Sequence, residues 1–182
     1  MQHEDDTALV ARIRTGDRAA FGALVERYAT RSYRVAYRLL LQRQDAEDVV
    51  QECLLKFWQE PWRWDASGGG SFATWFYRVV SNAALNRLKR RRFEVADETF
   101  LLSVADEADT HRTLEEKESR QQVASALRSL PESQQQAVGL CFYEGFSNQE
   151  AAAVMAISVT ALQSLLMRAK NALKQKMEMR SI

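Results

Sequence analysis

The chain has 182 residues, 46% of them hydrophobic, with 25 basic against 24 acidic side chains. That length supports one domain or two small ones with a workable core, and 7 Gly and 2 Pro among long runs of 3.6-residue period point to an all-α fold. Cys53 and Cys141 stand far apart with no His at a ligand spacing beside either, which argues against a disulfide framework and against a metal site.

The start, MQHEDD, is acidic where a secretory leader is basic and then apolar, and no apolar run approaches the length that crosses a bilayer. The expectation is a soluble, cytoplasmic protein with no direct membrane insertion. The near-neutral total hides a partition. Residues 1–92 hold 16 basic and 11 acidic side chains, net +5; residues 93–119 hold 2 and 9, net −7; residues 120–182 hold 7 and 4, net +3. Two cationic blocks flank an acidic connector.

Thr7 to Thr15 reads as a short helix closed by Gly16, and Asp17 caps a second in which Phe21, Leu24, Val25 and Tyr28 form one stripe. Asp45 is expected to start the third helix, with carboxylates in its first turn where the helix dipole favours them. Ala46, Val49, Val50, Cys53 and Phe57 form its inward face, and Asp48, Gln51, Glu52 and Leu55 the opposite one. That outer face is either simply solvated or an acidic and amide patch for a basic helical partner, with Trp58 at its rim as an anchor.

Pro61 ends this helix, and a loop with three consecutive glycines follows between Trp64 and Ser71. No GK[ST] follows the glycines, so a phosphate-cradling motif is not indicated. The loop is either a connector or a pliable wall, beside Trp62 and Trp64, for an unstacked base.

From Ser71 to Arg92 the sequence begins as an aromatic, apolar helix and ends as a cationic one. Phe72, Trp75, Phe76, Val79 and Ala83 recur on one face, which predicts burial. Arg78, Asn82, Asn86 and Lys89 form a second strip of donors and amides. Arg87, Lys89, Arg90, Arg91 and Arg92 then point all round the axis, where no core accepts them. A helix anchored at one end with a cationic projection suits a polyanion, cations meeting phosphates and Asn side chains pairing with bases; a solvated helix end is the alternative.

Residues 93–119 lose clean periodicity, and their first half reads as an extended linker at a domain boundary, with Phe100, Leu101 and Leu102 as a docking cluster. A helix resumes around Thr110. Pro131 opens another, helical from Gln134 to Tyr143 and stopped by Gly145. Ser147 and Glu150 make a capping box, Ala151, Ala152 and Met155 face inward, Ala156-Ile157-Ser158 turns, and Ser158 caps the last helix. Two short helices with a three-residue turn make a helix-turn-helix, or else an ordinary helical hairpin. Thr160, Gln163, Ser164, Met167 and Arg168 mark the outer face and Leu162, Leu165, Leu166 and Ala169 the packed one. That outer face is only weakly cationic, so its own affinity for duplex DNA is expected to be modest.

Both halves resemble the extracytoplasmic-function (ECF) sigma factors, bacterial specificity subunits of RNA polymerase. DAEDVVQE with Phe57-Trp58 resembles region 2.2, FATWFYRVVSNAALNRLKRRR resembles regions 2.3 and 2.4, and LPESQQQAVGLCFYEGFSNQEAAAVMAISVTALQSLLMRAK resembles region 4. The resemblance implies two small helical domains, region 2 over residues 1–92 and region 4 over 120–182, joined by an acidic linker that threads toward the polymerase cleft. It implies core polymerase (β′ and β) contacts at Asp45, Asp48, Gln51, Glu52 and Trp58. It assigns the melted minus-ten element to Asp65, Ser71, Trp75, Arg78, Asn82, Asn86, Lys89 and Arg90. The minus-thirty-five duplex would fall to Ser158, Thr160, Gln163, Ser164, Arg168 and Lys170.

The same resemblance implies an anti-sigma partner, no catalytic residues, no cofactor and no metal. The family often has Asp where this chain has Asn86, and Lys, Arg and His where it has Gln163, Leu165 and Met167. Either the upstream element it reads is unusual, or phosphate contact there comes from Lys170, Lys174 and the polymerase. Two rivals frame this reading. A free-standing helix-turn-helix regulator binds a palindrome unaided as a dimer. A nucleic-acid enzyme needs paired carboxylates, a metal cluster or a nucleophile and base, and none is patterned here.

Overall fold

The computed structural model describes residues 4–68, 70–95 and 125–178. Among the described residues all regular structure is helical: α1 (Asp6–Ile13), α2 (Arg18–Leu40), α3 (Arg43–Gln59), α4 (Phe72–Val95), α5 (Glu132–Val138), a π-helical turn (Gly139–Tyr143), α6 (Asn148–Met155) and α7 (Val159–Glu178). Short 3-10 turns, Pro61–Arg63 and Ala66–Gly68, fill the loop between α3 and α4. No single helix among the described residues is long and apolar enough to cross a membrane.

Local chemistry sets the first three helices. Gly16 (φ +85°) ends the first turn region, and Asp17 accepts hydrogen bonds from the amides of Ala19 and Ala20 at 2.9 and 3.1 Å, satisfying donors that the first turn of α2 leaves free. The same carboxylate pairs with Arg12, and both contacts hold it below the ordinary Asp range. Asp6 binds Arg27 and Tyr28, fastening α1 to α2. Helix α3 starts at Arg43, two residues before the expected Asp45, because Leu41 leaves α2 in a left-handed conformation (φ 54°) and the chain turns at once. Asp45 still lies in the first turn.

The buried line of α4 also differs from the expected one. Phe72, Phe76, Val80 and Ala84 are enclosed together with Tyr77 and Ser81, while Trp75, Val79 and Ala83 are only partly covered. The reason is that α4 is packed on two sides: α2 and α3 cover one and α6 covers the other. A stripe read from one helix cannot anticipate a second covering layer. Tyr28, Phe57, Trp64, Phe72 and Phe76 meet in an aromatic cluster, with Phe72 ring centroids 5.0 Å from Phe57 and 5.6 Å from Phe76. Helix α4 runs to Val95, three residues past the boundary expected at Arg92. The Phe100, Leu101 and Leu102 cluster, the helix expected to resume at Thr110 and all but the first residues of the acidic linker lie outside the described residues.

The C-terminal unit matches its sequence pattern closely. Ser147 Oγ accepts from the Glu150 amide at 3.2 Å and Glu150 accepts from the Ser147 amide at 2.8 Å, the reciprocal capping box. These donated hydrogen bonds hold the Glu150 carboxyl below its ordinary range. Ala156 turns in the left-handed region (φ 55°), Ser158 Oγ accepts from Ala161 at 3.1 Å, and α6 and α7 meet at 99°, the crossing of a helix-turn-helix. Ala151, Ala152 and Val154 are buried, and Met155 is half-buried. Leu130, Val138 and Ala169 form a small separate core, whereas Leu140, Phe146, Ala151, Val154 and Leu162 join the larger core begun by α1 to α4. The two domains therefore share one continuous buried interior.

Candidate docking face and nucleic-acid strip

Helices α3 and α4 are joined by an ion cluster that the sequence did not suggest. Arg87 donates from Nε to Asp45 at 3.0 Å and from Nη2 to Asp48 at 3.0 Å, and its Nη1 lies 3.5 Å from Glu52. Arg91 donates to the other Asp45 oxygen at 3.1 Å. The acids sit at i, i+3 and i+7 of one helix and the arginines at i and i+4 of the other, so both rows share one contact line. Arg87 and Arg91 were expected to point into solvent with the rest of the cationic end; instead they fold back and are half-buried. The packing of α4 against α3 turns one side of the helix toward carboxylates, and a guanidinium can lie there because each fork has an acceptor.

This divides the expected polymerase contacts. Asp45 is enclosed between two guanidinium groups, with its side chain 16% exposed, and belongs to the clamp. Asp48 and Glu52 are shared with Arg87 yet remain open at 43% and 57%, and Gln51 is exposed beside them. Trp58 is half-buried and lies against Phe21 with centroids 5.0 Å apart, so its packing competes with a rim role. The exposed apolar side chains nearest in sequence are Leu55 and Trp62.

On α4, Asn82, Asn86, Lys89 and Arg90 are exposed and Arg78 is half-buried. Lys89 Nζ lies 3.8 Å from Glu132 of α5. Trp75 is half-buried, with its ring 5.7 Å from Phe57 and 5.6 Å from Phe72, so one edge belongs to the aromatic cluster. In the glycine loop Trp64 is buried and donates from Nε1 to the Gly70 carbonyl at 3.3 Å, while Arg14 donates to the Trp64 carbonyl at 2.7 Å. Asp65 accepts from the Ser67 hydroxyl and amide, which lowers its carboxyl pKa, and Ser71 accepts from the Thr74 amide at 3.2 Å as the cap of α4. Both exposed residues thus have local structural partners, and the loop hangs from Trp64.

On α7, Thr160, Gln163, Ser164, Met167, Arg168 and Lys170 are all exposed, Met167 at 62%. Ser158 is used by its cap, and the Ser164 hydroxyl donates to the Thr160 carbonyl at 3.0 Å. Leu162 and Ala169 are buried; Leu165 and Leu166 are half-buried against the core. Among the described residues no group of three or more His, Cys, Asp or Glu is arranged around a metal position. The buried Cys53 thiol is pushed up to about 11 by desolvation, which keeps it protonated and unreactive near neutrality.

Residues 24–94 match the family described as Sigma-70 region 2, and residues 120–173 match Sigma-70, region 4. The ECF RNA polymerase sigma-E factor of Haemophilus influenzae is 30% identical over 185 residues, covering 95% of this chain and 95% of that one. The chain belongs to the extracytoplasmic-function sigma factors. The ECF sigma factor SigE of Mycolicibacterium smegmatis is 30% identical over 166 residues, which cover 88% of this chain; the chain spans 63% of that relative's length. Among solved structures, the sigma factor RpoE of Bartonella quintana, in complex with the anti-sigma factor NepR, is similar at a TM-score of 0.67 and 26% identity, covering 87% of this chain and 96% of that one. In this sigma factor the region 2 match ends at residue 94, in keeping with the extension of α4 to Val95.

Proposed function

We propose that this sigma factor brings RNA polymerase core to promoters, with the open part of the α3 face (Asp48, Gln51, Glu52) meeting a basic helical surface of β′. The exposed α4 strip (Arg78, Asn82, Asn86, Lys89, Arg90), with Trp75 and the Asp65 to Ser71 loop, holds the melted minus-ten strand. The outer face of α7 reads the minus-thirty-five duplex. Nucleotide addition belongs to the polymerase, so this chain supplies binding and no catalytic group. It acts in the bacterial cytoplasm under an anti-sigma factor, a partner class named for its structural relative from Bartonella quintana.

The observation that carries this reading is the Arg87 clamp, which fixes an acidic surface of α3 and an amide and cation strip of α4 at one relative position. A protein that docks on a machine and must present a DNA strand at a set place in it requires that fixed relation. The weakly charged α7 face favours the same reading over a free-standing regulator, because a module with few phosphate contacts binds duplex poorly until an assembly holds it there. Run-off transcription with purified core polymerase on promoter fragments tests it. Specific transcripts that require both the chain and the core are expected; binding of a palindromic duplex by the chain alone, with no transcript on adding core, contradicts it.

A further inference from the structure

The chain enters the glycine loop through Trp64, and one side chain from outside the loop holds that entrance. Arg14, the residue that closes α1, donates from Nη2 to the Trp64 carbonyl at 2.7 Å, across 50 residues of sequence. The Trp64 ring is buried against Phe72, edge to face at 5.5 Å, and its Nε1 donates to the Gly70 carbonyl at 3.3 Å. Trp64 therefore meets the loop at both ends. Arg14 fixes the plane of the peptide bond that leads from Trp64 into Asp65.

Beyond that bond lies a closed turn. Asp65 accepts from the Ser67 hydroxyl and from the Ser67 amide at 3.1 Å, and the Gly68 amide donates to the Asp65 carbonyl at 3.2 Å. The Ser67 contacts hold the Asp65 carboxyl low, and the nearby Arg14 charge adds to the same lowering. Asp65, Ala66, Ser67 and Gly68 are all exposed. The turn keeps its own shape, so its direction is decided where it leaves Trp64, and a rotation of that peptide plane carries the Asp65 and Ser67 side chains with it.

Arg14 is not needed to hold the fold. Helix α1 is seated by buried Leu9, Val10 and Ile13, by Asp6 on Arg27 and Tyr28, and by Arg12 on Asp17. Trp64 is seated by its ring. A hydrogen bond from an exposed guanidinium to a backbone carbonyl contributes little net stability, because water satisfies both groups once it is broken. What the bond adds is orientation: a charged donor on an anchored helix, set against the carbonyl that aims the turn. Helix α1 also precedes residues 24–94, which match region 2, so the loop takes its bearing from outside the matched segment.

We propose that Arg14 is a positioning residue for minus-ten recognition: by holding the Trp64 carbonyl it aims the Asp65 to Gly68 turn at the place where an unpaired base is read. Its purpose rests on the proposed reading of this loop, its geometry on the Arg14 to Trp64 contact. Arg14 does not itself touch the strand. Without it the turn samples several directions, and the bases it should tell apart are read less sharply.

Arg14→Met, which keeps the stem and removes the donors, is compared in the full chain with Arg14→Lys, which keeps a cationic donor. In the free protein, amide order parameters at Ser67 and Gly68 are expected to drop below about 0.6 in Arg14→Met, with those of α2 and α4 unchanged. With core polymerase, the ratio of permanganate reactivity between a cognate minus-ten element and its single-base variants is expected to shrink about 5-fold or more. Core binding and salt dependence stay at wild-type values, and Arg14→Lys returns part of the loss. Trp64→Phe keeps the ring and releases Gly70, so it narrows the same ratio, and the double variant is little worse than either single one. Unchanged order parameters or an unchanged ratio in Arg14→Met overturns the positioning role. So does an equal loss on every minus-ten sequence with a flatter salt dependence, the pattern of a lost phosphate contact. A loosened turn in Arg14→Met, beside a wild type that opens no DNA with core, overturns the proposed function and this purpose with it, while the tie itself remains.

Discussion

The two surfaces assigned to DNA differ in how they are built. The α4 strip carries Arg78, Lys89 and Arg90 among its amides, on a helix fixed by an aromatic cluster at one end and by the Arg87 clamp further along. The outer face of α7 offers Thr160, Gln163, Ser164 and Met167 with Arg168 and Lys170 toward one end, on a helix packed through Leu162 on the larger core and through Ala169 on Leu130 and Val138. The first surface has the charge to attract a strand and the rigidity to hold it. The second has shape and hydrogen-bonding groups but little charge, so it discriminates only when something else delivers the duplex. On the proposed reading, delivery and discrimination fall to different domains.

Removing the anchor of the first surface gives the largest effect. Phe76→Ala deletes a fully buried ring from the aromatic cluster and is expected to cost about 3–5 kcal/mol in unfolding free energy, measured by denaturant titration. Leu162→Ala does the equivalent to region 4, at about 2–5 kcal/mol. Because both residues belong to one continuous core, the two variants are expected to lower a single transition rather than two. Two separated transitions would show that the domains unfold independently and that the shared interior contributes little.

The docking face gives an intermediate effect, and the ion cluster dictates how to probe it. Charge reversal at Asp48 and Glu52 would set cations against Arg87, so Asp48→Asn with Glu52→Gln is the cleaner change. It is expected to weaken core polymerase binding about 10-fold or more, equivalent to about 1.4 kcal/mol, with stability nearly intact, since both pairs are well exposed and screened. Unchanged association would remove α3 from the docking assignment.

The smallest effect is expected in the helix-turn-helix. Ser147→Ala removes the cap hydroxyl and should cost about 1 kcal/mol in stability. The Glu150 carboxyl, held below its ordinary value of 4.5 by hydrogen bonds from Ser147, links this cap to pH. A depressed pKa means that the folded state favours the ionised form. The contribution is therefore complete above about pH 4.5 and is lost as pH falls through the folded value. Glu150→Gln should lack this pH dependence, and a variant that retains it would place the titration elsewhere.

Much of region 4 was legible because its signals are local. A capping box needs only Ser147 and Glu150, three residues apart, and the turn at Ala156 to Ser158 needs only its neighbours. Region 2 was legible in its elements and not in its contacts. The periodicity of α4 identified a buried face yet missed Ser81 and Tyr77, because what covers them, Gln136 and Phe146, comes from 55 and 69 residues further along. The run of five cations looked uniform in sequence, and only the approach of α3 separates Arg87 and Arg91 from Lys89 and Arg90. Glu144 gave no signal at all: a single acid before a glycine reads as an exposed turn until α2 is packed over it.

The central claim is that α4 holds a separated strand while α3 holds the polymerase. Permanganate reactivity of unpaired thymines at a cognate minus-ten element tests it directly, comparing wild type with Arg78→Ala/Asn82→Ala at polymerase concentrations that saturate core binding. The account predicts a strong, core-dependent signal with wild type and its loss, by about 10-fold or more, with the variant at equal core occupancy. Equal reactivity from the two proteins, or a variant that loses core binding while whatever complex remains opens DNA normally, would contradict it.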